Sequence, residues 1–217
     1  MQRIDLETWP RRKHFELYRG MTYPHFSLCA PVDITRFYAA TKAAGVSFSI
    51  AMTYLLAWVA NQRVEFRYRI HGDQVVEHAL VHPATTLLTE GDLFSFCTIP
   101  YAATWAEFAP GAAAQIAYTK ANPNLEDEPG IDDLLFMTSI PWVAFTNMMH
   151  PIDLKPADSV PRIAWGKYTL EAGVWKMPLS VQVHHALMDG IHVGRYFQDV
   201  QAALDLPAVL FEGGARA

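Results

Sequence analysis

The hydrophobic pattern in the first third of the chain predicts two helices. Asp33 can cap the first, which would end near Gly45, and Ser47 can cap the second, which would run to about Asn61. The inner face of the first helix is expected to carry Phe37, Ala40 and Ala44. Because nearly every position of the second helix is apolar, it should lie at the centre of the fold, with these residues buried: Ile50, Tyr54, Ala57 and Val59.

Alternation of apolar and polar residues predicts a series of strands in the rest of the chain. Residues 66–70 and 74–77 read as a hairpin, because His71-Gly72-Asp73 can turn the chain between them. The other predicted strands are 85–88, 93–98, 136–140, 163–169 and 177–184. A hairpin turn at Gly173 is expected to precede the last of them.

Two more helices are predicted, over residues 104–120 and 191–204. Pro110 would kink the first or delay its start, and the second should bury Val193, Phe197, Val200 and Leu204. Residues 122–133 are acidic and rich in turn formers, which predicts an exposed loop, and residues 213–217 read as a frayed tail. Without repeats or a linker, residues 1–217 form one domain, of α/β or α+β class with a large sheet.

Composition narrows the class of protein. A chain of 217 residues that is 51% hydrophobic can bury a sizeable core. A net charge of -5 and the lack of a basic run argue against a nucleic-acid surface. Cys29 and Cys97 show no CxxC spacing and read as small buried hydrophobes. We expect a cytoplasmic protein, because the acidic N-terminus is unlike a signal peptide and the apolar stretch 48–60 is too short to span a bilayer.

Candidate chemistry lies where the last predicted strand ends. Alternation along residues 179–184 turns His184 and His185 toward opposite faces, so at most one of them belongs to a given site. A neutral imidazole, with an ordinary pKa of about 6.5, can accept a proton near neutral pH. Spacing alone leaves two other interpretations open: a structural histidine pair beside the Asp189-Gly190 turn, and a metal site formed by His185, Asp189 and His192.

A second motif lies far away, in the basic-aromatic segment 9–18, Trp-Pro-Arg-Arg-Lys-His-Phe-Glu-Leu-Tyr. Together with His-His-Ala-Leu-Met-Asp-Gly at 184–190, it resembles the chloramphenicol acetyltransferase family, which pairs a Trp-x-Arg-x-x-His-Phe-x-x-Tyr opening with an HHxxxDG box. Similar segments, among them 94–95, 141–143 and 178–183, follow in order over essentially the whole chain. The box alone is shared with peptide-synthetase condensation domains, so the opening motif is what favours the stand-alone acetyltransferases.

The resemblance implies a fold and a mechanism. The fold would be a two-layer sandwich with a large mixed sheet covered by helices, assembled as a homotrimer with active sites at subunit interfaces. His185 would be the general base that takes a proton from a hydroxyl acceptor, chloramphenicol or a related molecule, which then attacks acetyl-CoA; no metal is implied. Asp189 would form an ion pair with Arg11. Thr138 would bind the oxyanion, where the family uses a serine, and Ala164 stands where the family often has a threonine that helps to hold a water.

The resemblance also implies two sets of contacts. The acceptor pocket would be lined by Tyr18, Phe26, Thr85, Phe94 and Phe96. Coenzyme A would contact Lys167, Tyr168 and Trp142. Phe96 and Phe136 indicate a bulkier and drier pocket than is usual, which keeps acceptors other than chloramphenicol open.

Two further functions stay open on the sequence. His184 and Asp189 also fit the His-x₄-Asp spacing of glycerolipid acyltransferases, although the chain has no basic amphipathic face for a membrane. Thr138 and Ala164 depart from the family at the reaction centre, which would suit a non-catalytic binding protein on the same fold.

Overall fold

A computed structural model describes residues 1–126 and 130–211 of the chain. The helices are α1 (Arg12–Arg19), α2 (Thr35–Ala43), α3 (Phe48–Asn61), α4 (Trp105–Ala121), α5 (Gly190–Asp205) and α6 (Ala208–Phe211). The strands are β1 (Gln2–Arg3), β2 (His25–Asp33), β3 (Tyr68–His71), β4 (Gln74–Glu77), β5 (His82–Leu88), β6 (Phe94–Thr98), β7 (Leu134–Ile140), β8 (Arg162–Gly166), β9 (Thr169–Glu171) and β10 (Val174–His184). The predicted tail at 213–217 lies outside the described residues.

Seven strands form the main sheet, in the order β2-β10-β8-β7-β5-β6, with β9 paired to the start of β10. Strand β7 runs parallel to β5 and β8, whereas β10 is antiparallel to β2 and β8. The sheet is therefore mixed, as expected. A second, small sheet has the order β1-β4-β3 and carries the predicted hairpin.

Helices cover one face of the main sheet and bury the apolar alternation of its strands. Leu179, Val181 and Val183 of β10 are 1% exposed or less and belong to the same hydrophobic cluster as α3. Helix α3 is central, as its pattern predicts, since nearly all of it is buried. Ser47 caps it through a hydrogen bond from the Ile50 N–H. This arrangement confirms the two-layer architecture.

The opposite face of the sheet is polar and is covered by the segment that precedes β8. The hydroxyls of Ser27 and Ser180 both donate to the Met148 carbonyl, at 3.0 and 3.2 Å. The His150 N–H donates to Gln182 Oε1 at 2.7 Å. These bonds provide partners for the two hydroxyls and for Gln182 Oε1, whereas Gln182 Nε2 is buried without a hydrogen-bond partner in the described part of the chain.

Several predicted boundaries need correction. Residues 64–67 form a 3-10 turn, so the first hairpin strand starts at Tyr68, and the predicted strand 163–169 divides into β8 and β9. Helix α4 begins at Trp105 with Pro110 inside it, so its start is not delayed. On α2 the inner face continues through Thr41, which is 1% exposed, whereas Ala44 is exposed. On α5 the predicted residues Val193, Val200 and Leu204 are buried, but Phe197 is only half-buried and its neighbour Tyr196 is buried instead.

No helix among the described residues is both long and apolar enough to cross a membrane.

Candidate active site

His185 lies at the junction of β10 and α5. Strand β10 ends at His184, and the His185 N–H extends the pairing with the neighbouring chain segment by donating to the Pro24 carbonyl at 2.7 Å. Asp189 is the N-cap of α5 and takes part in a reciprocal capping box with His192. The turn between the two elements is therefore fixed at both ends, which gives the His185 ring a rigid base.

Arg11 joins the N-terminal segment to this turn. Its two terminal nitrogens contact both oxygens of Asp189, at 2.5 and 3.0 Å, and one of them also donates to the His185 carbonyl at 3.2 Å. The side chains are 13% and 28% exposed, so the pair is only partly screened by water. Hydrogen bonding from Arg11 lowers the pKa of Asp189 below its ordinary value, which keeps the carboxylate charged.

The Asp189 carboxylate also faces the His185 ring. Its Oδ1 lies 3.2 Å from His185 Nδ1, but the angle is not that of a hydrogen bond, so the carboxylate acts on the ring as a nearby negative charge. A negative charge at this edge favours the tautomer that carries its proton on Nδ1. The lone pair is then left on Nε2.

Two aromatic residues hold the plane of the His185 ring. Tyr18 stacks on it with a centroid separation of 3.9 Å and an interplanar angle of 5°, and Phe26 packs against it at 4.7 Å. Nδ1 is buried while the side chain as a whole is 30% exposed. Nε2 is therefore the nitrogen that can meet a substrate.

His184 has the opposite environment. It is 2% exposed, and its ring packs edge-on against His25, with centroids 4.8 Å apart. Its Nδ1 accepts the Ala186 N–H at 3.2 Å, and burial lowers its pKa to about 3. His184 is thus a neutral structural residue, and the pairing of His184 with Asp189 that a glycerolipid acyltransferase would need is not formed.

His192 has partners that differ from those of a metal ligand. Its Nδ1 accepts the Asp189 N–H at 2.8 Å, and its Nε2 faces Glu65 at 3.7 Å. These contacts give His192 a capping role and leave the alternative metal site of His185, Asp189 and His192 without support.

A cavity of about 930 Å³ opens elsewhere in the chain, on the polar face of the sheet. Thr138 of β7 borders it, together with Phe136 of the same strand and two aromatic residues of β6, Phe94 and Phe96. Its lining does not include His185, Tyr18 or Phe26. The predicted site residues therefore fall into two groups within the described chain.

The sheet register shows how far apart these groups are. Thr138 pairs with Ala164, and Ala164 pairs with Ser180, which precedes His184 by four residues. With strands about 4.8 Å apart and a rise of about 3.3 Å per residue, the backbones at Thr138 and His184 are roughly 16 Å apart. One substrate hydroxyl cannot contact Thr138 and His185 of the same chain.

Known proteins resemble this chain over most of its length. The sequence profile described as "Chloramphenicol acetyltransferase" matches residues 1–201. A chloramphenicol acetyltransferase of Streptomyces acrimycini is 35% identical over 214 residues, covering 95% of this chain and 96% of that protein. Chloramphenicol acetyltransferase 2 of Haemophilus influenzae is 33% identical over 205 residues, covering 94% and 96%.

The chain belongs to the chloramphenicol acetyltransferase family. It is therefore an acyltransferase, as the paired motifs predict. A solved chloramphenicol acetyltransferase superposes with a TM-score of 0.83 at 25% identity, covering 93% of this chain and 98% of that one. The cubic core of a pyruvate dehydrogenase complex superposes with a TM-score of 0.68 at 18% identity, a likeness of fold alone.

One residue predicted for the acceptor pocket, Thr85, lies away from the cavity. Its strand neighbours Ala84 and Thr86 line the cavity, so alternation turns the Thr85 side chain to the other face of the sheet. There Thr85 pairs with Met137 and is 8% exposed. Ser139 also borders the cavity, although its strand position puts its side chain on the other face from Thr138. Thr85 is therefore the one predicted pocket residue that neither group contains.

The residues predicted for coenzyme A lie near one another at the end of β8. Trp142 is 65% exposed and borders the cavity, and Lys167 is exposed. Gly166 allows this close approach, since a Cβ there would lie 2.7 Å from the Val143 carbonyl oxygen. The Tyr168 ring packs against Tyr38, Phe48 and Trp175, so much of its surface is already in aromatic contact.

Among the polar residues of the cavity wall that were not predicted, Arg162 and His150 have buried polar atoms. Arg162 is 6% exposed, pairs with Asp158, and its guanidinium lies 5.1 Å from the Phe136 ring centre. Both ring nitrogens of His150 are buried without a hydrogen-bond partner in the described part of the chain. Neither lies in a motif, and only the tertiary fold brings them to the cavity.

Proposed function

We propose that this protein transfers the acetyl group of acetyl-CoA to a hydroxyl of chloramphenicol or a closely related small molecule. The substrate is taken from the names of the relatives, which are called chloramphenicol acetyltransferases at 33–35% identity over nearly their whole length. The observation that carries the proposal is the His185 ring, whose Nδ1 is buried against Asp189 while its other edge is open.

In the proposed reaction His185 is the general base. Nε2 takes the proton of the acceptor hydroxyl as the oxygen attacks the thioester carbonyl carbon. The C–S bond then breaks, and Nε2 gives its proton to the coenzyme A sulfur, which leaves as the thiol. The charge that develops on the ring is stabilised by Asp189, which Arg11 keeps ionised and in place.

Thr138 is proposed to stabilise the intermediate. Its hydroxyl would donate to the oxyanion that forms on the carbonyl oxygen, a contribution typically worth about 2.7–4 kcal/mol. Ala164, its paired neighbour on β8, is 0% exposed and supplies no hydroxyl, so a water near the intermediate would need a different partner.

The active site is proposed to form between copies of the chain, in a homotrimer. Thr138 and His185 cannot meet within one chain, so a second copy must bring its cavity to the open edge of His185. Exposed apolar residues surround both groups, which suits burial at such an interface. They include Leu17, Met21 and Tyr23 near His185, and Leu88, Leu93 and Phe94 at the cavity, each 42–66% exposed.

In the assembled site, Tyr18 and Phe26 would contact the acceptor from the His185 side, and Phe94 and Phe96 from the cavity side. Lys167, Trp142 and Tyr168 are proposed for coenzyme A, with the exposed Lys167 ammonium suited to a phosphate. A cytoplasmic location belongs to the same proposal, since Cys29 and Cys97 are free thiols.

The test is thiol release from acetyl-CoA, measured with chloramphenicol and with a panel of other small hydroxyl compounds. Saturable release with chloramphenicol, together with the acetylated product by mass spectrometry, is the expected result. Turnover of another hydroxyl compound but not of chloramphenicol would keep the acetyl transfer and overturn the acceptor. Tight binding of acetyl-CoA with no turnover of any acceptor would instead favour a binding protein.

A further inference from the structure

A cluster of two histidines and one aspartate lies outside the site described above. His71 Nε2 is 2.7 Å from Asp132 Oδ2, and His78 Nε2 is 2.9 Å from Asp132 Oδ1. The candidate ligand atoms of the three residues all lie within 4.8 Å of one another. The single carboxylate thus bridges two imidazoles that both present the same ring nitrogen.

The hairpin of the small sheet aligns the two histidines. His71 ends β3, opposite Gln74. His78 directly follows β4, at the other end of the hairpin, where its N–H donates to the Arg67 carbonyl. Strand alternation puts His71, Arg69 and His78 on the same face. Asp132 lies over that face, in the segment that leads into β7.

Arg69 holds Asp132 in place. This side chain is 0% exposed, and its Nε donates to the Asp132 carbonyl at 2.6 Å, while its Nη2 donates to the Leu134 carbonyl at 2.5 Å. Its Nη1 donates to the backbone carbonyls of Phe66, in the 3-10 turn before the hairpin, and of Tyr68, at the start of β3. The segment and the hairpin are therefore fixed to each other through one buried guanidinium, which preorganises the cluster.

Beside the cluster, the buried positive charge of Arg69 is offset by acidic residues. The Asp132 side chain is 27% exposed, and each of its two oxygens faces one of the imidazole rings. Asp133 and Asp158 also lie close enough to stabilise the buried Arg69 charge. His71 is the exposed member, with 40% of its side chain accessible, so an ion has a path from solvent.

We propose that His71, His78 and Asp132 form a Zn²⁺ site. Imidazole nitrogens and a carboxylate oxygen are ordinary zinc ligands, and three of them leave a fourth position for water. Zinc–ligand distances of about 2.0–2.1 Å require neighbouring donors about 3.4 Å apart. Reaching this spacing from the present one requires rotation of the exposed His71 ring and of the carboxylate, and the ion would replace the two hydrogen bonds. The bound ion joins the hairpin to the start of β7, so it stabilises the fold.

Binding of Zn²⁺ to the full chain, first treated with a chelator and dialysed, tests the site by titration calorimetry. We expect one saturable ion per chain and a higher Tm with zinc. His71→Ala and Asp132→Asn should each weaken binding at least about tenfold, since loss of even an outer partner of a metal ligand costs that much. His14→Ala is the matched control, because it removes another exposed histidine, and it should leave binding unchanged.

Co²⁺ provides a second readout that does not depend on stability. Visible absorption typical of tetrahedral Co²⁺ is expected with the wild-type chain, and it should disappear in His71→Ala. The site is refuted if no stoichiometric Zn²⁺ binding occurs, or if His71→Ala binds zinc as wild type does. Neither measurement uses the acetyl-transfer reaction, so the outcome is independent of the proposed function.

Discussion

The two halves of the candidate active site are built in different ways. Around His185, each contact comes from the same chain: Arg11, Asp189, Tyr18 and Phe26 fix the ring on three sides. Around Thr138 the chain leaves a wide cavity with exposed aromatic walls, where Phe94 is 48% and Trp142 65% exposed. The proposed base is thus preorganised within one chain, whereas the cavity proposed for the acceptor and the oxyanion leaves apolar surface exposed.

This difference has a physical reason. A general base must hold one tautomer and one orientation, which short-range contacts within a rigid turn can supply. An acceptor pocket needs apolar walls on all sides, and a single sheet face supplies them on one side only. A second copy of the chain, bringing its own Tyr18 and Phe26, would close the cavity and bury the exposed apolar residues.

The largest expected effect is the loss of the base. His185→Ala should lower kcat by about 10²–10⁴, because nothing else beside the ring can take the hydroxyl proton. Thermal unfolding should remain near wild type, since the side chain is partly exposed and its hydrogen-bonding backbone groups are kept. Steady-state thiol release measures this, and wild-type kcat in the variant would remove His185 from the reaction.

The next effect comes from the cavity side. Thr138→Ala should lower kcat by about 10²–10³ with little change in KM, because the hydroxyl acts on the oxyanion and not on the ground state. Thr138→Ser keeps the hydroxyl and serves as the matched variant, expected to stay close to wild type. Equal losses in Ala and Ser variants would mean that the threonine methyl, and not its hydroxyl, matters.

The contrast between the adjacent histidines predicts a smaller effect on stability. Burial lowers the pKa of His184 to about 3, whereas an unfolded histidine titrates near 6.5. Neutral His184 makes its full contribution to the free energy of unfolding above pH 6.5. This contribution is lost as the pH falls toward 3, and the loss is about 2 kcal/mol at pH 5. His184→Asn keeps an acceptor for the Ala186 N–H and should flatten the fall in the free energy of unfolding between pH 7 and 5, measured by urea denaturation. An equally steep fall in His184→Asn would assign it to other groups.

The smallest expected effect tests how the base is held. Arg11→Lys keeps the charge but cannot contact both Asp189 oxygens and the His185 carbonyl at once. We expect kcat to fall by about tenfold, a 1.4 kcal/mol loss of positioning, with KM nearly unchanged. Arg12→Lys, at an exposed pair on the same helix, is the control and should keep wild-type kcat. Equal kcat for both variants would show that the charge alone is sufficient.

Predictions from the sequence are most accurate for elements whose apolar periodicity matches their burial in the structure. Helix α3 and strand β10 follow their apolar patterns closely, and the opening motif with the HHxxxDG box led to the family. Helix α1 was not predicted, since only Phe15 is buried and Arg11 offers no side-chain cap. Strand β2 lies at the edge of the sheet and contains Pro31, so neither its alternation nor its composition is typical of a strand.

The candidate site was predicted in its residues but not in its arrangement. Alternation separated His184 from His185, the family resemblance assigned His185, and the structure shows that the two differ in burial. The separation of Thr138 from His185 depends on strand order, which no local pattern contains. The same holds for His71, His78 and Asp132, since Asp132 was expected only as part of an exposed loop.

Mixing two inactive variants tests the shared active site most directly. His185→Ala and Thr138→Ala chains are purified separately, and then unfolded and refolded together. If each site takes His185 from one copy and Thr138 from the next, about a quarter of the sites in a random mixture carry both residues. We expect recovery of up to about a quarter of wild-type kcat, far above either variant refolded alone. Activity that stays at the average of the two variants, although mixed oligomers form, would contradict it.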